Sequence, residues 1–210
     1  MKTPALGLSA LALILSGCAS KGEIVEGGIS AVRSACPTVG VPAGTGDITL
    51  FNGADRSVTA IDVTAVMTEV RGTCNETGDD IVTTVNFRVD ARRSDSGAAR
   101  DVTLPYYIAV VRGGSAVTAK RIGAVQVHFD AGQLRGSTTG QASATVTRAA
   151  ATIPEAIRQR ITARRKAGEE EAAVDPLSQP EVRAAVLRAS FEALVGFQLT
   201  DEQLRYNAQR

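Results

Sequence analysis

Residues 81 to 92 alternate with a period of two, and this constrains the fold more than any other stretch of the chain. Ile81, Val85, Phe87 and Val89 share one phase with Thr83 and Ala91; Thr84, Asn86, Arg88, Asp90 and Arg92 share the other. Successive side chains of a strand point to opposite faces, so the segment predicts a strand with one buried and one wet surface. Similar, noisier runs cover 57 to 70, 100 to 112 and 117 to 130. Asp47-Ile48-Thr49-Leu50-Phe51 reads as a short strand, and the Thr/Ser-rich stretch 137 to 148 as a polar final one. Turn signals separate these runs: Asn52-Gly53, Asn75 to Asp80, Ser94 to Gly97, Gly113-Gly114 and Ala131-Gly132. Strands at this spacing predict an antiparallel β-sandwich-like or barrel arrangement. Trp is absent and there are only five Phe and three Tyr, so the core is expected to be built of small side chains.

At Thr152 the texture turns helical. Thr152-x-x-Glu155, Ser178-x-x-Glu181 and Thr200-x-x-Gln203 have the form of a capping box, in which two early backbone donors are satisfied reciprocally. Leu177 with Val182, and Leu199 with Leu204, are spaced as hydrophobic staples. Helices are expected at about 153 to 168, 179 to 195 and 201 to 208, with Gly168 and Gly196 placed as C-caps. The fold class is therefore mainly β with an α C-terminal region, an α+β chain: a β-sandwich-like domain (36–150) followed by two to three helices (151–210).

Charge narrows the function classes. The chain holds 23 Lys and Arg against 22 Asp and Glu, a net charge of +1. Nucleic-acid binders carry a strong positive excess, which is missing here. Few aromatic side chains disfavour a stacking platform for sugars or single-stranded bases.

Each candidate for chemistry has a bland reading beside it. His128 is the single histidine; it lies in phase with Gln126 and opposite Val125, Val127 and Phe129, on the outward face of a strand, where a solvated role suits it better than catalysis. Gly40 to Gly46 is glycine-rich but lacks the Gly-Lys-Ser/Thr ending of a phosphate-cradling loop. Asp79-Asp80 reads as a pair of solvated turn residues. No metal site, cofactor motif or catalytic residue set is found. Arg158, Arg160, Arg164, Arg165 and Lys166 crowd the first helix, opposite an apolar side of Ile153, Ile157 and Ile161. They form either a contact surface for an acidic partner or anionic lipid, or a solvated face balanced by Glu169 to Glu171, the simpler alternative. Leu187, Phe191 and Leu194, with Val182, Val186 and Ala189 alongside, form a stripe that packs on the β domain or meets another protein.

Leu15-Ser16-Gly17-Cys18 closes a short apolar run that follows Lys2. The run is too short for a bilayer-spanning helix, which needs roughly 20 apolar residues. The tetrapeptide resembles a lipobox, at which signal peptidase II cleaves before a lipidated cysteine, and so places the chain with the bacterial lipoproteins. The resemblance covers about the first 20 residues and implies a signal peptide (1–17) and a lipid anchor and tether (18–35), with a diacylglyceryl thioether on Cys18. Ala19 rather than Asp after the cysteine implies the outer membrane, facing the periplasm. With Cys18 assigned to lipid, Cys36 and Cys74 remain as an even pair in an oxidising compartment. They are expected to form a disulfide, the alternative being two separate buried thiols.

These readings converge on a periplasm-facing, non-catalytic interaction or scaffold component of an envelope complex. Its partners would be the membrane, through Cys18, and an envelope protein, with no nucleic acid and no cofactor; the oligomeric state stays open. A lipid or small-ligand accessory of envelope transport is the alternative. An envelope hydrolase fits least, because it needs a nucleophile, base or metal cluster.

Overall fold

The alternation of residues 81 to 92 becomes β4 (Asp80–Arg93), in which Ile81, Thr83, Val85, Phe87, Val89 and Ala91 are all buried while Asn86 and Arg92 are exposed. The computed structural model describes residues 34–163 and 174–209. β4 pairs antiparallel with β3 (Ile61–Asn75) on one side and β7 (Arg135–Thr147) on the other, and β2 (Asp47–Phe51) completes a sheet of order β2-β3-β4-β7. The second sheet has the order β1-β8-β5-β6, from β1 (Thr38–Gly40), β8 (Phe191–Phe197), β5 (Arg100–Arg112) and β6 (Ala116–Phe129). All its pairs are antiparallel except β1 with β8. The two sheets curl into a half-barrel, and helices follow in the C-terminal region, so the chain is mainly β in an α+β fold.

The core lies between the inner faces and, among the described residues, is made chiefly of Val and Ala, with four Phe and three Ile. Packing such small side chains to interior density requires the sheets to approach closely. Gly140 on β7 shows how: a Cβ there would run into the Phe87 ring and Val125. The Phe87 ring meets Tyr106 edge-on at 5.0 Å, and the Tyr106 hydroxyl donates to the Gln141 carbonyl, 2.8 Å away, tying the two sheets. The β5–β6 hairpin turns through Gly113 and Gly114, with φ of 61° and 77°, a conformation that L side chains disfavour.

The strands expected from sequence agree closely with those observed, except that the run expected over 57–70 begins as a 3-10 turn at Val58–Ala60 and continues as β3 to Asn75. The helices do not in every case. α1 (Arg148–Ala151) and α2 (Glu155–Thr162) precede α3 (Pro180–Arg188), and α4 (Asp201–Ala208) ends the described chain. The expected helix 179–195 stops at Arg188, and Phe191–Phe197 is the strand β8, inserted between β1 and β5. Gly196 is therefore a strand residue packed against Thr45, not a helix cap. The apolar stripe Leu187, Phe191, Leu194 is broken accordingly. Phe191 enters the main core, Leu194 is half-buried beside Gly40, and Leu187 stays 47% exposed on α3. Ladder bonds on both edges of β8 and burial of Phe191, Ala193, Val195 and Phe197 outweigh a helical pattern in the local sequence.

Of the three capping boxes, the one at α4 forms. Thr200 Oγ1 accepts from the Gln203 N–H, and Gln203 Oε1 accepts from the Thr200 N–H. The other two do not. Thr152 donates back to the Arg148 carbonyl and Pro154 caps α2; Ser178 ends a short 3-10 turn and donates to the Asp175 carbonyl, while Gln179 caps α3. Gly168 lies outside the described residues.

Candidate functional site

Where the described chain begins, it is stapled. Cys36, two residues before β1, forms a disulfide with Cys74 near the end of β3, the Cα atoms being 6.1 Å apart. The Cys36 N–H donates to the Ser34 hydroxyl, which donates to Glu76 Oε1 at 2.6 Å; that carboxylate oxygen also sits 2.8 Å from the Cys36 sulfur. Cys36, Cys74 and Glu76 are close enough to resemble a metal-ligand cluster, but both sulfurs are consumed in the disulfide and offer no thiolate.

Two members of the basic helix are described, and both are paired. Arg158 makes two hydrogen bonds to Glu155, at 2.7 and 2.6 Å, and Arg160 reaches Glu181 on α3 at 2.9 Å. The Arg158 bond holds the Glu155 carboxyl below its ordinary range, and Glu155 raises the guanidinium pKa in turn. Ile157 packs with Val182 and Ala185 on the other side of the helix. Arg164, Arg165 and Lys166, like Cys18, lie outside the described residues.

His128 is exposed on β6, and each ring nitrogen faces a carboxylate: Nδ1 is 2.7 Å from Asp101 on β5 and Nε2 is 3.4 Å from Asp130. The hydrogen bond to Asp101, helped by the negative field of both carboxylates, raises the imidazole pKa above its ordinary value. That environment favours imidazolium, a donor toward both neighbours, over a free base able to take a proton from a nucleophile.

An open groove of about 1250 Å³ runs over the outward face of the β2-β3-β4-β7 sheet. Strand register arranges its walls in rows. Thr49, Thr64, Arg92 and Arg135 lie side by side across the four strands, and Asp47, Val66, Asp90 and Ser137 form the next row. Arg88, one row further, bonds Asp90 at 2.8 Å, and Thr68 donates to the same carboxylate; both bonds hold Asp90 below the ordinary carboxyl range, Arg88 contributing most. His128 and Asp130 close one side. At the other, α4 docks on β2, Asn207 donating to the Gly44 and Asp47 carbonyls and Tyr206 meeting Phe51 edge-on. Guanidinium, carboxylate, imidazole and hydroxyl groups dominate these walls, and Val66 is the one large exposed apolar side chain among them. The surface suits a polar, charged ligand far better than an acyl chain.

The sequence pattern placed Arg88, Asp90 and Arg92 correctly on a wet face but could not bring Arg135, Thr49 or Asn207 beside them. That required the pairing register. It also gave no sign of Arg93, the last residue of β4, which is 1% exposed. Its guanidinium donates to the carbonyls of Gln133, Ala98, Gly97 and Asp130 and lies 5.5 Å from the centre of the Phe129 ring. It locks the β4–β5 loop to the β6–β7 turn beside the groove.

Comparison of the chain with protein-family models, with curated proteins and with solved structures gives no match.

Proposed function

We propose that this chain is a lipid-anchored, periplasm-facing interaction component of a bacterial envelope complex, and that it acts by binding rather than catalysis. The observation that carries the reading is the Cys36–Cys74 disulfide. Such bridges form and persist in oxidising compartments, in agreement with export and with a lipobox at Leu15 to Cys18. Its position fits a tethered domain. Load on a tether fixed at Cys18 would reach the fold at β1, whose ladder with β8 is three residue pairs long. The bridge passes that load to β3, which has a five-pair ladder with β2 and an eleven-pair ladder with β4. On the chain-entropy model, closing this loop also stabilises the fold by roughly 4 kcal/mol.

Two features support binding over chemistry. His128 is held between carboxylates rather than beside a nucleophile, and the groove presents charged and hydroxyl groups in register over a broad sheet face. The groove's polarity favours a protein or other polar partner over carriage of lipid.

In-cell crosslinking of the full-length protein, followed by affinity purification from detergent-solubilised membranes, tests the reading. A stoichiometric protein partner is the expected result. Recovery of the protein alone with one specific lipid would overturn it in favour of lipid carriage.

A further inference from the structure

Across the outer face of the β2-β3-β4-β7 sheet, polar groups find one another within and between rows. Arg88 bonds Asp90 within β4, and Gln141 on β7 donates to Asn86 on β4 at 2.8 Å. The row of Arg92 and Arg135 is different. These two residues are direct cross-strand partners, both are exposed, and neither guanidinium has a hydrogen bond or ion pair among the described residues. Direct cross-strand neighbours have Cβ atoms roughly 5 Å apart, where like charges repel. Two carboxylates that line the groove with the pair are engaged elsewhere: Asp90 by Arg88 and Thr68, Asp130 by His128.

A second, independent observation lies in the same row. Thr49 is 2% exposed and lines the groove, yet its hydroxyl has no hydrogen-bond partner. Buried hydroxyls without a partner are uncommon, because desolvation is then uncompensated. Thr49 stands two strands from Arg92, roughly 10 Å at ordinary strand spacing.

We propose that Arg92 and Arg135 clamp one oxyanion, a carboxylate or a phosphate, and that a longer ligand so held extends along the row toward Thr49. Two guanidinium forks facing one site can share the two or three oxygens of such a group through charge-assisted bonds, turning a repulsive pair into a binding site. Asp47, Asp90 and Asp130 keep the groove from being a general anion trap, so recognition depends on direct contact with the two arginines. The proposal rests on the groove as a contact face and is independent of lipid attachment.

The test uses the full-length ¹⁵N-labelled protein in non-ionic detergent, titrated with inorganic phosphate and separately with acetate at constant ionic strength. Arginine Nε–H resonances are the readout, with the exposed Arg121 on β6 as internal control. Expected are saturable shifts at Arg92 and Arg135, with affinity reduced about tenfold in Arg92→Gln and in Arg135→Gln and unchanged in Thr49→Val, which a phosphate or acetate held by the two arginines is too short to reach. Saturation by phosphate alone identifies the ligand group as phosphate; saturation by acetate identifies a carboxylate. Shifts that never saturate, that appear equally at Arg121, or that persist in both glutamine variants would overturn the clamp. A clamp that binds phosphate or acetate in a protein that captures no partner would sink the proposed function and leave this inference standing.

Discussion

β4 and β8 are both strands rich in apolar residues, but they leave opposite traces in the sequence. β4 has a wet outer face, so Asn86, Arg88, Asp90 and Arg92 interrupt its apolar residues every second position. β8 is hydrogen-bonded on both edges, carries one charged residue, Glu192, and offers Leu194 and Gly196 where β4 has polar side chains. Alternation is imprinted by water, and where water is largely excluded the imprint fades. With Leu187 upstream, Phe191 and Leu194 then fit a helical period equally well, and only pairing decides.

The largest expected effect tests β8 against the continuous helix that its sequence resembles. Phe191, which shares the expected helical stripe with Leu187, is 8% exposed and belongs to the main core, so Phe191→Ala is expected to cost about 4 kcal/mol. Leu187→Ala, on the half-exposed face of α3, is expected to cost less than about 1.5 kcal/mol. Urea denaturation of both variants checks this. Comparable losses would break the distinction, because the two residues would then belong to equally buried surfaces.

Arg93 sharpens the comparison from within β4. It falls on the inward phase, where alternation predicts an apolar side chain, and is accommodated because carbonyls from two loops converge on it. Arg93→Met keeps much of the volume and strands those carbonyls. We expect a loss of about 3 kcal/mol by denaturant unfolding, and faster amide exchange in residues 94–99 and 130–134.

A smaller effect concerns the one helix start that was fully legible. Thr200→Ala removes the hydroxyl half of the capping box and is expected to cost about 1 kcal/mol. Thr152→Ala and Ser178→Ala, whose boxes do not form, are expected to lose less in the same assay.

The smallest effect is electrostatic. Because the folded-state pKa of His128 is raised, its contribution to stability is fully present below the unfolded value of 6.5 and is lost as pH rises through the folded pKa. Asp101→Asn removes the principal cause of the rise, so an NMR titration of the imidazole is expected to return a lower pKa than in the parent protein. An unchanged titration would contradict the assignment of Asp101 as that cause.

The fold was legible wherever one face of a strand meets water. β2, β4, β5, β6 and β7 stand close to their expected positions because polar and apolar residues mark their two faces. β1 was not legible, since three residues carry no period, and β8 was misread for the reason given above. The Cys36–Cys74 bridge followed from counting cysteines once Cys18 was set aside. The groove escaped notice because its rows join residues as distant as Thr49 and Arg135, and no local pattern encodes that register.

The central claim, a domain anchored by lipid at one cysteine and stapled at the next two, is tested most directly by intact and peptide mass spectrometry of the protein purified from membranes under non-reducing conditions. The account predicts a mature chain that starts at Cys18, carries the mass of its acyl groups, and yields a Cys36–Cys74 cross-linked peptide. A chain that retains residues 1–17, or that starts elsewhere with an unmodified Cys18, would contradict it.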